Sequence, residues 1–325
     1  MGSDMKHTSS VFRALPAALT LSLVLAACSG NDPAKLMQSA KDYMAQSDHA
    51  AAIIQLKNAL QNQPDLAEAR FLLAKALLAT GDAAGAQIEL KKAETGGYAR
   101  EQIVPLMAQA MLSQGQAKAV TETYADTQLS SPAAQAELQT LVAGAWFAQG
   151  KSDQAQAKLA EALQTQPNHV PALLLKARVT ASNRDFDGAL TQIAQILKTA
   201  PQNEEAFKLR GDIQLFGQQR PDDALVSYRE AVKAKPGYKD AQASIVRVLM
   251  AQNKLPEATT ELETLSKSAP KSPYTLYLQA QLALKKQDLK AARETAQQLL
   301  RATPDSPQAL ELAGTIERSE EHTSE

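Results

Sequence analysis

Cys28 is the only cysteine in the chain, and it is the one side chain whose setting points to a definite reaction. A thiol can act as a nucleophile, a redox centre or a metal ligand. With no second cysteine, an internal disulfide and a cysteine-based metal cluster are both excluded. The four histidines, His7, His49, His169 and His322, stand singly, so no pair has the spacing of a zinc site. No phosphate-binding glycine loop, GxSxG elbow or HExxH pair occurs. Carboxylates do cluster at Glu204-Glu205 and Asp222-Asp223, but both pairs fall where helices are expected to begin. The helix dipole favours negative charge there without any catalytic role. The expectation is a chain with no catalytic residue, no metal and no cofactor, and not an enzyme.

What surrounds Cys28 gives its thiol a use. Lys6 and Arg13 precede an apolar stretch, Ala14 to Ala27, interrupted only by Pro16, Thr20 and Ser22. A spanning helix needs about 20 apolar residues, so this stretch is too short to cross a bilayer and suits a signal peptide. It ends in Leu25-Ala26-Ala27-Cys28, which resembles the lipobox cleaved by bacterial lipoprotein signal peptidase. That resemblance implies removal of residues 1–27 and a diacylglycerol thioether on Cys28, with 28–32 as a lipidated tether. Several acyl chains anchor stably where one does not. Ser29, in place of the Asp that retains lipoproteins at the inner membrane of enteric-type bacteria, implies the periplasmic face of the outer membrane. Lys+Arg (34) nearly balances Asp+Glu (35), so the basic excess of a nucleic-acid binder is missing. The membrane is expected to be met through the lipid alone.

Beyond the tether the chain keeps a 34-residue clock. Pro132, Pro167, Pro201, Pro236, Pro270 and Pro304 recur at 34 or 35 residues; Pro64 lies two periods before Pro132, and Tyr98 takes the missing beat. A turn recurs in phase at Ser47-Asp48, Gly81-Asp82, Gly115-Gln116, Gly150-Lys151, Arg184-Asp185, Asn253-Lys254 and Gln287-Asp288. Gly or Asn there suits a positive φ, and the Asp that follows can cap the next helix. Small residues form two further columns. Ala40, Ala74, Ala108, Ala143, Ala177, Gly211, Val246, Ala280 and Gly314 make one, and Ala52, Ala86, Val120, Ala155, Ala189, Ala224, Ala258 and Ala292 the other. They let paired helices approach closely, while Leu56, Leu90, Tyr124, Leu159, Ile193, Tyr228 and Leu262 fill the space alongside. Prolines such as Pro105, Pro171 and Pro273 are expected near helix starts, where they are tolerated. One extra residue near Gln218–Pro221 is expected to lengthen a turn.

These columns resemble the small-small-large consensus of tetratricopeptide (TPR) repeats. The resemblance covers 33–317 and implies an all-α, right-handed solenoid of about eight complete helix-turn-helix repeats. The units fall near 33–66, 67–100, 101–135, 136–169, 170–203, 204–238, 239–272 and 273–306, with a partial ninth at 307–317. In proteins of this kind the first helix of each unit lines a concave groove. Carried over to this sequence, that gives Lys41, Phe71, Lys75, Gln109, Leu174, Arg178, Asp212, Arg247, Tyr274, Tyr277 and Gln281 as candidate binding residues. Mixed charges and amides there suit a protein or peptide partner. A neighbouring apolar row, Met44, Leu78, Leu112, Phe147, Leu215, Met250 and Leu284, either lines the groove or packs on the next helix. Trp146 is expected to pack in the core.

The stretch from AKDYMAQSDHAAAIIQLKNALQ through QIVPLMAQAMLSQGQ further resembles TPR lipoproteins of the PEP-CTERM/exosortase system of exopolysaccharide-producing Gram-negative bacteria. That resemblance implies a scaffold in protein sorting and exopolysaccharide export, bound to envelope proteins or peptides. Two alternatives remain open. One is a general envelope-assembly adaptor, serving a pilus secretin, outer-membrane protein insertion or polysaccharide export. The other is the leading part of an enzyme whose catalytic domain lies further on. The closing octapeptide, Arg318 to Glu325, reads RSEEHTSE, the translation of a common sequencing adapter. It is expected to be non-native, the natural protein to continue, and the last helix to fray.

Overall fold

The structure, a computed structural model, describes Met1 and residues 32–324. The expected leader, the lipobox residues Leu25, Ala26 and Ala27, and Cys28 lie outside the described residues. Seventeen helices follow one another among the described residues, and none is long and apolar enough to cross a membrane. They pair as α1 Pro33–Ala45 with α2 His49–Asn62, α3 Ala67–Ala79 with α4 Ala83–Thr95, and α5 Arg100–Ser113 with α6 Ala117–Tyr124. Next come α7 Pro132–Ala148 with α8 Ser152–Thr165, and α9 Val170–Ser182 with α10 Phe186–Thr199. In the sixth unit α11 Glu204–Asp212 runs on as a π-helical segment, Ile213–Gly217, before α12 Pro221–Ala234. The series closes with α13 Lys239–Ala251 and α14 Leu255–Ser268, α15 Pro273–Lys285 and α16 Leu289–Ala302, and α17 Pro307–Ser324.

The two small columns are the seams of these pairs. Every member of the second-helix column, Ala52 through Ala292, is fully buried. So are Ala40, Ala74, Ala108, Ala143, Ala177, Val246 and Ala280 in the first. Only small side chains, alanine in most units and valine at Val120 and Val246, fill these seams, and added bulk at such a site typically costs about 1–3 kcal/mol. Beside them Leu56, Leu90, Leu159, Ile193 and Tyr228 are buried to within 1% of completely. First helices also pack on one another from unit to unit (α3 on α5, α5 on α7, α7 on α9, α13 on α15). Successive second helices make no comparable packing among the described residues. The first helices therefore crowd the inner, concave side.

The turns bear out the positive-φ expectation in every unit. Ser47, Gly81, Gly115, Gly150, Arg184, Asn253 and Gln287 all have φ between 56° and 90°. The sixth unit supplies Gln219, at 56°. Asp48, Asp82, Asp185 and Asp288 each accept a backbone N–H of the helix they open, at 2.8–3.0 Å.

Three expectations are corrected. The extra residue of the sixth unit does not lengthen the turn. It is absorbed inside the helix, where Gln218 N–H donates to Ile213 O (3.0 Å) and Arg220 N–H to Gln214 O (2.7 Å). Pro105 lies in the second turn of α5 and not at its start, so Glu101 loses its intrahelical amide partner. Its carboxylate is used elsewhere, accepting the N–H groups of Ser130 (2.9 Å) and Ser131 (3.2 Å). Finally, Pro132 opens α7 behind the Ser131 N-cap and does not close the third unit, so that unit's boundary falls earlier than 135. The short α6 leaves 125–131 to be held by side chains. Buried Gln135 accepts Leu129 N–H at 2.7 Å, and Lys158 Nζ donates to Ala125 O at 3.1 Å. Trp146 is half-buried between the third- and fourth-unit cores, with Lys151 Nζ 4.6 Å from its ring centroid.

Candidate functional site

The eleven residues carried over from the TPR groove fall into two sets. In the first five units they do not form a shared seat. Phe71 is buried and stacks on Tyr98 with ring centroids 4.5 Å apart, so the residue that replaces the periodic proline completes a core contact. Leu174 is likewise core, at 6% exposure. Neither is available to a partner, because each is buried. Lys41 is exposed but paired with Glu68 at 2.7 Å. Lys75 lies 5.8 Å from the Phe71 ring, and Gln109 and Arg178 are exposed.

Asp212 belongs to the array's own polar network. Both its oxygens accept Lys208 Nζ at 2.7 Å, and Oδ1 also accepts the Tyr228 hydroxyl at 2.9 Å. Burial, and then the Asp212 charge, push the Tyr228 phenol far above its usual range, so it acts as a fixed donor. Around the same turn Arg210 Nε donates to Ser227 Oγ (2.9 Å), which donates to Gln214 Oε1 (2.6 Å). Burial lowers the Arg210 pKa.

The second set does converge. Arg247, Tyr277 and Gln281 line a groove of about 660 Å³ on the concave side of units six to nine. With Tyr274 they also border an adjoining space of about 440 Å³. Helix α13 supplies Arg247, and α15 in the next unit supplies Tyr274, Tyr277 and Gln281. Leu215, Met250 and Leu284 form the apolar floor, so in this region the apolar row faces the groove as well as packing beneath it. Gln281 Nε2 donates to the Tyr277 hydroxyl at 2.8 Å, which orients both side chains. Gln308, Glu311 and Thr315 of α17 close the far wall. Phe216 projects from the π segment at 63% exposure, with the Arg247 guanidinium 5.8 Å from its ring centroid.

Phe216 and the α17 residues are absent from the sequence-derived set. The signal for Phe216 was the broken period of the sixth unit. The three residues of α17, Gln308, Glu311 and Thr315, follow Tyr274, Tyr277 and Gln281 at 34 residues and could have been read from that spacing. Among the described residues no three His, Cys, Asp or Glu side chains gather to hold a metal ion. The groove offers amides, hydroxyls, two cations (Arg247 and Lys285), one carboxylate (Glu311) and an apolar floor: a surface for binding an extended chain.

Comparison with known proteins agrees with this architecture. Two models, each described as a tetratricopeptide repeat, match 147–213 with 215–282 and 37–97, together more than half of the chain. The chain belongs to the tetratricopeptide repeat family. It is thus a protein-interaction scaffold built from helical repeats. The two central TPR matches meet at Gln214, inside the π segment. No curated protein matches the chain. Among solved structures it is similar to PilF of Pseudomonas aeruginosa, with 14% identity and TM-score 0.46 over 77% of this chain and 97% of that one. It is also similar to a tetratricopeptide repeat protein of Parabacteroides merdae (13%, TM-score 0.45, 87% and 98%). Yeast Tom70 matches over 88% of this chain and 73% of its own (15%, TM-score 0.45).

Proposed function

We propose that this chain is a non-catalytic scaffold, tethered by lipid on Cys28 to the periplasmic face of the outer membrane. It captures an extended segment of an envelope protein in the groove of units six to nine. The observation that carries this reading is the groove itself: Tyr277, Gln281 and Arg247 converge over an apolar floor. Side-chain amides and hydroxyls match the alternating donors and acceptors of an extended backbone, and an apolar floor supplies most of the affinity. The tether from Cys28 to Asp32 reaches only about 3.3–3.6 Å per residue, so a lipid at Cys28 holds the first unit close to the bilayer. The resemblance to PEP-CTERM/exosortase lipoproteins makes protein sorting and exopolysaccharide export the cellular setting we favour.

The test is crosslinking in intact envelopes. A partner protein should crosslink to the wild-type chain, and the yield should fall severalfold when Arg247, Tyr277 and Gln281 are replaced together by alanine. An unchanged yield would place the partner elsewhere. Incorporation of labelled palmitate, lost in Cys28→Ser, tests the anchor. Exosortase and polysaccharide-synthesis genes beside this one would support the setting, and pilus or outer-membrane-assembly genes would oppose it.

A further inference from the structure

The sixth unit holds one residue more than its neighbours, and the surplus can be located. In seven units the small residue of the first helix precedes the positive-φ turn residue by seven positions, as in Ala40 to Ser47 or Ala280 to Gln287. From Gly211 to Gln219 the separation is eight. The apolar row lies four residues after the small one and three before the turn, which in other units is the same residue: Met44, Leu78, Leu112, Phe147, Met250, Leu284. In the sixth unit the two counts diverge. Counted from the start the residue is Leu215; counted from the end it is Phe216.

The π segment Ile213–Gly217 lets both occupy that one place. Leu215 takes the ordinary role and packs against the seventh-unit core. Phe216 is displaced outward into the groove, at 63% exposure. Leaving a phenylalanine in water forgoes its burial energy, and a π turn costs helix regularity, so the arrangement is unfavourable unless the ring is covered by a partner. Gly217 fits the same design: a Cβ there would come within about 2.7 Å of the Phe186 ring, so the bend is clamped from behind.

We propose that the π insertion makes Phe216 the specificity-determining anchor of the groove, and that it selects an extended peptide bearing an apolar side chain next to a carboxylate. The apolar residue is stacked on Phe216 over Leu215, Met250 and Leu284. Charge complementarity supplies the carboxylate, since two cations, Arg247 and Lys285, line the groove against the single acid Glu311. Arg247 has no acidic partner within ion-pair distance among the described residues, and Lys285 lines the same groove likewise unpaired. The guanidinium beside the Phe216 ring is held in place for a bidentate contact. Gln281 Nε2 is engaged by the Tyr277 hydroxyl and Gln308 Oε1 by Ser306 Oγ, which leaves the Gln281 carbonyl oxygen and the Gln308 amide N–H groups to pair with the peptide backbone. This rests on the reading of the groove as a peptide seat.

The experiment uses dodecapeptides selected from a random phage-displayed library against the purified protein. Their affinities are then measured as labelled synthetic peptides. Selected peptides should share an apolar–acidic pair and lose about tenfold or more in affinity with Phe216→Ala, the loss typical of an anchor residue. Deleting Phe216 restores the 34-residue spacing, so that variant should keep its helical circular dichroism and lose binding equally. Arg247→Glu should reverse the preference for the acid, and Gln109→Ala should change nothing. Peptides that bind with no loss in Phe216→Ala overturn the anchor and leave the scaffold reading standing. A library that yields no binder overturns both. Phe216-dependent self-association of the protein alone assigns the seat to a second copy and overturns the peptide. Should the deletion variant fail to fold, Phe216→Ala decides.

Discussion

Unit two and unit six solve the same packing problem with opposite residues. In unit two, Ala74 and Ala86 are fully buried between the helices and Leu90 fills the space beside them. Gly81 turns the chain with φ 90°, and Asp82 caps the next helix through Gly85 N–H at 2.8 Å. In unit six, Gly211 replaces the alanine, Tyr228 replaces the leucine, Gln219 replaces the turn glycine, and Arg220 provides no side-chain cap. The exchanges compensate one another. A Cβ on Gly211 would lie about 2.5 Å from the Tyr228 ring, so the smaller residue is what admits the larger. The lesson is that one repeat can carry several departures from the shared pattern when each is matched by a neighbour. Here the departures gather beside the groove, as local conflicts at functional sites are expected to do.

The largest effect should come from breaking that exchange. Gly211→Ala forces the buried Tyr228 ring aside and strains its hydrogen bond to Asp212, a cost of about 1–3 kcal/mol for overpacking. Ala74→Gly in unit two should cost only about 1 kcal/mol, through helix propensity and a small void. Adding Tyr228→Leu to Gly211→Ala recreates the unit-two pair and should recover a large part of the loss. A repeat array need not unfold in one step, so hydrogen exchange resolved by unit is the proper measurement. If the double variant is no better than Gly211→Ala alone, the two residues are not a matched pair.

A middle-sized effect tests the turns. Gln219 holds φ 56° without being glycine, a left-handed conformation that costs an L-residue roughly 1–2 kcal/mol. Gln219→Gly should therefore stabilise unit six by up to about 1 kcal/mol, less whatever the freer unfolded chain takes back. Gly81→Ala, at φ 90°, should destabilise unit two by a similar amount. Opposite signs at equivalent positions, read from denaturation midpoints and exchange rates, would establish that the turn geometry is shared. The same sign at both would break the equivalence.

Much of this was legible in sequence because a solenoid repeats its evidence. A buried Ala column, a positive-φ column and a proline column each recur about eight times, so a single exception such as Tyr98 does not obscure the period. The misreadings fall where one unit departs from the rest. Pro132 keeps the period but opens a helix, because α6 stops early and side chains of Glu101 and Gln135 take over its backbone partners. Phe71 and Leu174 sit at groove positions of the pattern but are buried, Phe71 under the Tyr98 ring that stands where other units have proline. Asp212 reads as a groove acid only until Lys208 and Tyr228 are seen on its two oxygens. The surplus residue was countable, but its place inside the helix, where the Phe186 ring leaves no room for a Cβ on Gly217, shows only in the folded chain.

The smallest effect concerns charge at the entrance of unit six. Lys235 Nζ lies 2.8 Å from Glu204 Oε1, and this hydrogen bond, outweighing partial burial, holds the Glu204 carboxyl below its ordinary value of 4.5. A depressed carboxyl pKa stabilises the fold above the ordinary value, and the contribution is lost as pH falls through the lower folded value. Unit six should therefore loosen on acidification below about pH 4.5, and Glu204→Gln should remove that part of the pH dependence. Lys235 is substantially exposed, so solvent screening limits the term to about a few tenths of a kcal/mol. Exchange at the α11 amides, followed against pH in both proteins, reads it directly. Unit two pairs Arg70 with Glu89 at a more buried site, bridging α3 to α4 at 2.6 Å, and serves as the internal reference. Equal acid sensitivity of the Glu204→Gln variant and the parent would show that the Lys235 contact does not stabilise the unit.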